Sequence, residues 1–203
     1  HDDSENFIKS NFDDDVINAY YKLRYPAHRA DLWRYCILYK YGGVYADLDT
    51  LCLGSIDDFI DEGIELVSVI DLDKTCCLAN AFIAVIPSHP IMKLCIDRII
   101  FNTKNKVDYK DKRYVGGPGV LGPCVNKYFD RDENMNYSFE NVRNLNNFRM
   151  LNFHNWNEFV TSENGEKKLF QNKNGNSKII KAYRKECHKN NVNMYWTCGS
   201  PYL

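Results

Sequence analysis

The sequence predicts an α/β domain built in layers. Segments with helical spacing alternate with segments that alternate apolar and polar residues, the arrangement expected of helices packed on a sheet. The chain has 203 residues, of which 44% are hydrophobic. That is enough for one hydrophobic core, so we expect a single domain over residues 1–203.

Two helices open the predicted fold. Residues 13–24, "DDDVINAYYKLR", have acidic residues at the start and basic residues at the end, as the helix dipole favours. Pro26 opens a second helix, "PAHRADLWRYCILYKY", which Gly42 and Gly43 end. This second helix is apolar around most of its circumference, which is typical of a buried helix.

The second helix also carries polar residues on one side. His28, Asp31 and Arg34 follow each other at intervals of three and therefore form one polar line. Arg29 and Lys40 fall on the opposite side, where we expect solvent.

A strand is predicted over residues 44–53, "VYADLDTLCL". Alternation places small aliphatic side chains on one face and polar ones on the other. The aliphatic face holds Val44, Ala46 and Leu48, and the polar face holds Tyr45, Asp47 and Asp49.

Predicted strands and helices continue to alternate in the next part of the chain, and the pattern becomes less regular toward its end. "IELVSVIDL" and "NAFIAVIP" predict strands, and Pro90 opens a helix. "GGPGVLGPCVNKYF" predicts a Gly/Pro turn that leads into another helix. Residues 162–178 predict an exposed hairpin or mobile loop, and residues 178–189 resume helical spacing.

Composition excludes several classes of function. The 26 basic and 27 acidic residues are mixed along the chain, so we expect no nucleic-acid partner. No apolar run is long enough to span a bilayer, so we expect no membrane segment in this chain. The eight cysteines form no C-x-x-C pair, which argues against structural zinc. The compartment stays open between the cytoplasm and a Golgi-type lumen.

One pair of aspartates stands out among four D-x-D triplets. Asp47 and Asp49 alone come at the carboxyl end of a predicted strand, after a buried helix and two glycines. Ligands bind at this edge in open α/β sheets. Hard divalent cations prefer carboxylate oxygens and keep positions open for substrate phosphates. The pair therefore predicts a metal ion that binds a diphosphate.

The stretch "RADLWRYCILYKYGGVYADLDT" resembles the signature of the sugar-binding, DxD-containing glycosyltransferase family, which includes initiating α-1,6-mannosyltransferases. It is also similar to the catalytic domains of large glucosylating toxins. "NAFIAVIPSHP" and "GGPGVL" follow in the family's order, so the resemblance covers roughly residues 5–121.

The resemblance implies a GT-A-like fold and a metal-dependent, retaining glycosyltransferase. Its donor would be a UDP- or GDP-linked sugar, its cofactor Mn²⁺ or Mg²⁺, and its acceptor a glycan, protein or lipid. The donor and metal core would lie in residues 13–122 and the acceptor side in residues 123–203.

The resemblance also implies roles for individual residues. Asp31 and Arg34 match positions that hydrogen-bond the donor sugar. Asp47 matches the aspartate that contacts ribose and metal, and Asp49 the principal metal ligand. The residues expected to carry catalysis are Asp31, Arg34 and Asp49.

Further matches extend the expected site. Tyr45 lies on the same strand face as the two aspartates, and Asn80 matches an asparagine beside the family's site. Gly117 and Pro118 match a turn on the acceptor side.

Two departures from the family are visible. The family's N-terminal strand, with a segment that helps to hold the nucleotide, is expected to lie outside residues 1–203. The family's late histidine, followed by a Ser-Trp pair near the metal, lacks its spacing here. His188 is the candidate for that metal ligand, and His154 is the alternative.

Two other functions compete with the transferase. A binding module of the same fold could hold a sugar or nucleotide without turnover. "DLDTL" is similar to the catalytic loop of haloacid dehalogenase-like phosphatases, but the glycine expected before Thr50 is missing.

Overall fold

A mixed β-sheet with helices packed on it forms the centre of the molecule. The computed structural model describes residues 2–47, 50–71, 76–107, 112–137, 147–154, 159–161 and 168–172. The helices are α1 (Asp2–Asn11), α2 (Asp14–Lys22), α3 (Pro26–Tyr41), α4 (Pro90–Lys104) and α5 (Pro118–Tyr128). The strands are β1 (Gly43–Ala46), β2 (Thr50–Cys52), β3 (Leu66–Ile70), β4 (Leu78–Val85), β5 (Phe148–His154), β6 (Phe159–Thr161) and β7 (Lys168–Asn172).

The sheet has the order β1-β4-β3-β5-β6-β7-β2 within the described residues. β3 and β5 run parallel, and the other neighbours are antiparallel. All of β3 is buried because apolar side chains cover both of its faces. The predicted α/β class is confirmed.

The structure confirms the predicted start of α2 and both predicted ends of α3, whereas α2 ends at Lys22, two residues before the predicted end. The side chain of Asp13 accepts a hydrogen bond from the backbone N–H of Val16 at 3.2 Å and thereby caps α2. α3 begins at Pro26 and ends before Gly42, whose φ is +64°. A Cβ at Gly42 would lie 2.6 Å from the backbone nitrogen of Pro87, so a glycine is required there. The sequence analysis did not predict α1.

The prediction of one strand over residues 44–53 is wrong. β1 ends at Ala46, and the backbone N–H of Thr50 donates to the carbonyl oxygen of Asp47 at 2.9 Å. The chain turns there and leaves for the other edge of the sheet, where β2 pairs with β7. Val44 and Ala46 of β1 are exposed, so the aliphatic face of this strand is not buried.

The later elements confirm most of the remaining predictions. β3, β4, α4 and α5 occupy the expected segments. Of the exposed hairpin or mobile loop predicted over residues 162–178, the structure describes only β7, which pairs with β6 outside that range. Leu169 and Phe170 are buried, so this part of the segment is not exposed. The predicted helix at residues 178–189 lies outside the described residues.

Two hydrophobic clusters lie on the sheet. The larger one joins the helices to the sheet and includes Tyr35, Leu38 and Ile96. The smaller one gathers Phe59, Phe82 and Phe170 with aliphatic residues of β3. Across the described ranges, no helix is both long and apolar enough to cross a membrane.

Candidate functional site

The polar line of α3 is buried, although it consists of ionisable residues. His28, Asp31 and Arg34 are 3%, 1% and 1% exposed, respectively. Buried charges are costly unless opposite charges and hydrogen bonds compensate them. Arg34 Nη2 lies 3.1 Å from Asp31 Oδ1, which supplies the first compensation.

Asn80 of β4 connects this ion pair to the sheet. Arg34 Nη1 donates to the backbone carbonyl oxygen of Asn80 at 2.5 Å. The Asn80 side-chain nitrogen donates to Asp31 Oδ1 at 2.9 Å. The structure therefore brings Asn80 directly against the two α3 residues that the sequence analysis selected.

Tyr45 and Asp47 complete the group from β1 and the turn after it. The Arg34 guanidinium carbon lies 4.4 Å from the centre of the Tyr45 ring, and Arg34 Nη1 lies 3.6 Å from Asp47 Oδ1. The Tyr45 hydroxyl donates to the same Asp47 oxygen at 2.7 Å. The five residues that meet here, which we term the Arg34 cluster, are Asp31, Arg34, Tyr45, Asp47 and Asn80.

The Arg34 cluster presents a carboxylate at its open end. Burial alone would lower the pKa of Arg34, but the carboxylates of Asp31 and Asp47 outweigh it and raise that pKa. The Asp31 side chain is 1% exposed, whereas the Asp47 side chain is 29% exposed. Asp47 is therefore the carboxylate of the cluster that a cation from solvent could reach.

Tyr45 keeps its proton in this setting. Burial raises the pKa of Tyr45, and the neighbouring Asp47 acts in the same direction against the opposing Arg34. A neutral hydroxyl can donate only one hydrogen bond, and it is directed at Asp47 Oδ1. Tyr45 thus fixes the orientation of the Asp47 carboxylate.

The start of α5 packs against the buried end of the cluster. Gly117 is the N-cap of α5, Pro118 is its first residue, and the Tyr35 hydroxyl lies 3.4 Å from the carbonyl oxygen of Gly117. A Cβ at Gly116 would lie 3.1 Å from the Cβ of Asp31, so this glycine allows the close approach. The sequence analysis missed Tyr35 and Gly116; the "GGPG" run was the signal for the second.

Of the predicted metal ligands, the structure describes the side chain of Asp47 alone. Asp49 and His188 lie outside the described residues, and His154 is described only as the backbone end of β5. Within the described ranges, no three His, Cys, Asp or Glu side chains form a group that could hold a metal ion. Asp47 fits the requirement for a hard-cation ligand, because it is a carboxylate that solvent reaches and that the Tyr45 hydroxyl orients.

A cavity of about 520 Å³ lies next to this cluster, between the end of α2, the start of α3 and the end of α4. His28 is the one member of the polar line that contributes to its wall. Asp31, Arg34 and Asp47 do not line it.

Comparison with known proteins supports the predicted resemblance. Residues 2–64 match the family model described as a glycosyltransferase sugar-binding region containing a DXD motif. This range includes four members of the Arg34 cluster, and Asn80 lies beyond it. The resemblance predicted from the sequence is confirmed.

Two curated relatives are similar to parts of the chain. An uncharacterized glycosyltransferase of Acanthamoeba polyphaga mimivirus is 33% identical over 86 residues, which are 42% of this chain and 34% of the relative. The initiation-specific alpha-1,6-mannosyltransferase of Schizosaccharomyces pombe is 28% identical over 169 residues, which correspond to 70% of this chain and 42% of the relative. The chain thus spans less than half the length of these relatives.

A solved structure of the PaToxG glycosyltransferase is also similar. The likeness has a TM-score of 0.41 and 23% identity, and it covers 51% of this chain and 36% of that one. At this level it carries no argument about fold or activity.

Proposed function

Because residues 2–64 carry the DXD-containing sugar-binding region of glycosyltransferases, we propose that the chain transfers a sugar from a nucleotide-diphosphate donor to an acceptor hydroxyl. The proposal includes a divalent cation, Mn²⁺ or Mg²⁺, retention of the sugar's configuration and a GT-A-like arrangement of the donor site.

The observation that carries this proposal is the position of Asp47 at the solvent-facing end of the Arg34 cluster. Arg34 contacts both Asp31 and Asp47. The second carboxylate is 29% exposed and is oriented by the Tyr45 hydroxyl. Such an oriented, exposed carboxylate suits a cation site better than it suits packing.

Asp47 and Asp49 would hold the cation, with His188 as the proposed further ligand. When bound, the cation neutralises the developing charge of the leaving diphosphate. Tyr45 keeps the Asp47 carboxylate in place through its hydroxyl, and Arg34 contacts the same carboxylate oxygen from the buried side.

Asp31 and Arg34 would position the donor sugar. Their side chains are held by Asn80 and by each other, so their geometry is fixed before the donor arrives. Preorganised groups of this kind lower the barrier through positioning and electrostatics. In a retaining transfer, the acceptor hydroxyl attacks the face from which the diphosphate departs, and we assign no covalent nucleophile.

The relative with 70% coverage of this chain is named a mannosyltransferase, so a mannosyl donor is the first to test. The donors that fit the proposed site are GDP-mannose, UDP-glucose, UDP-galactose and UDP-N-acetylglucosamine. The acceptor would be a glycan, a protein or a lipid.

A binding module without turnover is the second candidate. It is favoured by one observation: Asp31 and Arg34 are held by each other and by Asn80, in contacts that need no metal ion. Calorimetry separates the two functions, because the module predicts metal-independent binding of free sugar.

Hydrolysis of the four donors with Mn²⁺ tests the proposal. We expect turnover of at least one donor and a loss on the order of a hundredfold in Asp47→Asn and in Asp49→Asn. Asp97→Asn is the matched control, since Asp97 is an exposed carboxylate paired with Lys93 on α4. Equal rates in all four proteins would remove the metal role, and no turnover of any donor would favour the binding module.

A further inference from the structure

The cavity beside the Arg34 cluster has a strongly basic wall. Five cationic residues line it: Lys22, Arg24, Lys104, Lys106 and Lys112. No aspartate or glutamate is among the described residues that line it. The whole chain, by contrast, has a formal net charge of −1, so the positive charge is local.

The wall is held in place by buried polar contacts. Asn102 of α4 is 3% exposed, and its side-chain nitrogen donates to the carbonyl oxygens of Tyr114 and Val115 at 3.2 Å each. These bonds fix the segment after Lys112 against the end of α4. The Lys112 amine lies 4.7 Å from the centre of the Tyr25 ring, which holds its charge on the cavity side of α3.

Most of this positive charge is not neutralised by the described residues. Lys104 pairs with Asp15 at 2.7 Å. Lys22 and Lys106 form no ion pair with any other residue that the structure describes. Several like charges around one cavity repel each other, and a bound anion would remove that repulsion.

The cavity is close to the proposed donor site. His28 lines the cavity and lies one helical turn before Asp31 on α3. Val115 also lines it, and the next residue, Gly116, packs against Asp31. A ligand in the cavity would therefore lie beside the sugar-positioning residues without contacting Asp47.

We propose that this basic cavity binds a phosphate group carried by the acceptor. The inference rests on the proposed transferase function, which already assigns the donor diphosphate to the cation at Asp47 and Asp49. The basic cavity is a separate site for negative charge. Its volume of about 520 Å³ exceeds that of a phosphate alone, so it has room for an attached hydroxyl-bearing group. The ligand class is a phosphorylated polyol or sugar.

Calorimetry with glycerol 3-phosphate, and with glycerol at the same ionic strength, tests the cavity directly. We expect the phosphate to bind and glycerol not to bind. In the double variant Lys22→Gln/Lys106→Gln the affinity should fall about tenfold, because two charge-assisted contacts are lost. Lys40→Gln/Lys127→Gln is the control, since it removes the same charge from exposed positions away from the cavity and should bind as the parent does.

Competition with nucleotides shows whether the cavity binds a phosphate of the acceptor or a phosphate of the donor. GDP or UDP with Mn²⁺ should leave glycerol 3-phosphate binding unchanged if the cavity serves the acceptor. Displacement would mean that the cavity belongs to the donor, and it would overturn the proposal. Absence of binding, or equal weakening in both double variants, would overturn it as well.

Donor hydrolysis keeps this inference separable from the proposed function. The Lys22→Gln/Lys106→Gln protein should hydrolyse the donor at the parent rate. Phosphate binding by a parent protein that hydrolyses no donor would contradict the transferase alone. Donor hydrolysis without phosphate binding would contradict the cavity assignment alone.

Discussion

Arg34 and Asp47 meet across the space between α3 and the end of β1, with Nη1 and Oδ1 separated by 3.6 Å. The guanidinium comes from a fully buried side chain, whereas the carboxylate reaches solvent. This contact joins the structural interior to the surface on which we place the cation. The same guanidinium also binds Asp31 and Asn80. Both the stability of the fold and the geometry of the candidate site therefore depend on Arg34.

Replacement of Arg34 should lower the free energy of unfolding more than replacement of Asp31, its partner on α3. Arg34→Met removes the guanidinium that lies 3.1 Å from the buried carboxylate of Asp31, and we expect a loss of about 3–5 kcal/mol in the free energy of unfolding. Asp31→Asn should cost less, because Arg34 retains Asp47 and the carbonyl oxygen of Asn80. Urea unfolding of both variants measures the difference.

An exposed ion pair is the control for this experiment. Lys93→Met breaks the contact with Asp97 on the surface of α4 and should cost at most about 1 kcal/mol. A cost for Arg34→Met as small as that of Lys93→Met would show that the buried pair is not needed for folding.

Tyr45→Phe should alter the metal dependence of donor hydrolysis. It removes the hydroxyl that donates to Asp47 Oδ1 at 2.7 Å and leaves the ring over Arg34. Loss of a group that orients a metal ligand costs roughly tenfold or more in metal affinity. We therefore expect the Mn²⁺ concentration for half-maximal hydrolysis to rise about tenfold.

Tyr39→Phe is the comparison for that titration, because Tyr39 lies on the same helix as Arg34 but outside the cluster. A parent-like Mn²⁺ requirement in Tyr45→Phe would mean that the hydroxyl does not act through a metal ligand.

His89 should make the stability depend on pH. Its Nδ1 accepts the backbone N–H of Ile91 at 3.2 Å, so that nitrogen is unprotonated in the folded protein. Burial lowers the pKa of His89 below its ordinary 6.5, and Glu65 offsets only part of this. Below pH 6.5 the unfolded chain therefore binds more protons than the folded one at this residue. Its contribution to stability is complete above that pH and is lost as the pH falls toward the folded-state pKa.

His89→Asn gives the matched test, because asparagine can cap α4 but does not titrate. We expect a smaller loss of unfolding free energy between pH 7 and 5 in this variant than in the parent. Identical pH profiles would show that His89 does not contribute to the acid sensitivity.

Local patterns in the sequence predicted four of the five described α-helices and four of the five residues of the Arg34 cluster. The spacing of His28, Asp31 and Arg34 indicated a polar line on a buried helix, and the structure shows all three buried. Periodicity could not show that Asn80 would bridge Asp31 and Arg34, because the contact spans more than forty residues. Only the family resemblance pointed to Asn80.

The wrong strand prediction and the missed cavity have the same physical origin, because both depend on contacts between segments that are distant in sequence. The alternation over residues 44–53 is compatible with one long strand, and only the pairing of β1 with β4 and of β2 with β7 shows that the chain turns at Asp47. The basic cavity was also missed. Its lysines lie on separate elements, and nothing in their local sequence indicates that α2 and α4 bring them together.

Calorimetric titration of GDP and UDP into the protein, with Mn²⁺ and with a chelator in its place, tests the central claim most directly. We predict that at least one nucleotide binds only with the metal, and that Asp47→Asn abolishes this metal-dependent binding while Asp97→Asn preserves it. Equal nucleotide affinity with and without Mn²⁺, or unchanged metal-dependent binding in Asp47→Asn, would contradict it.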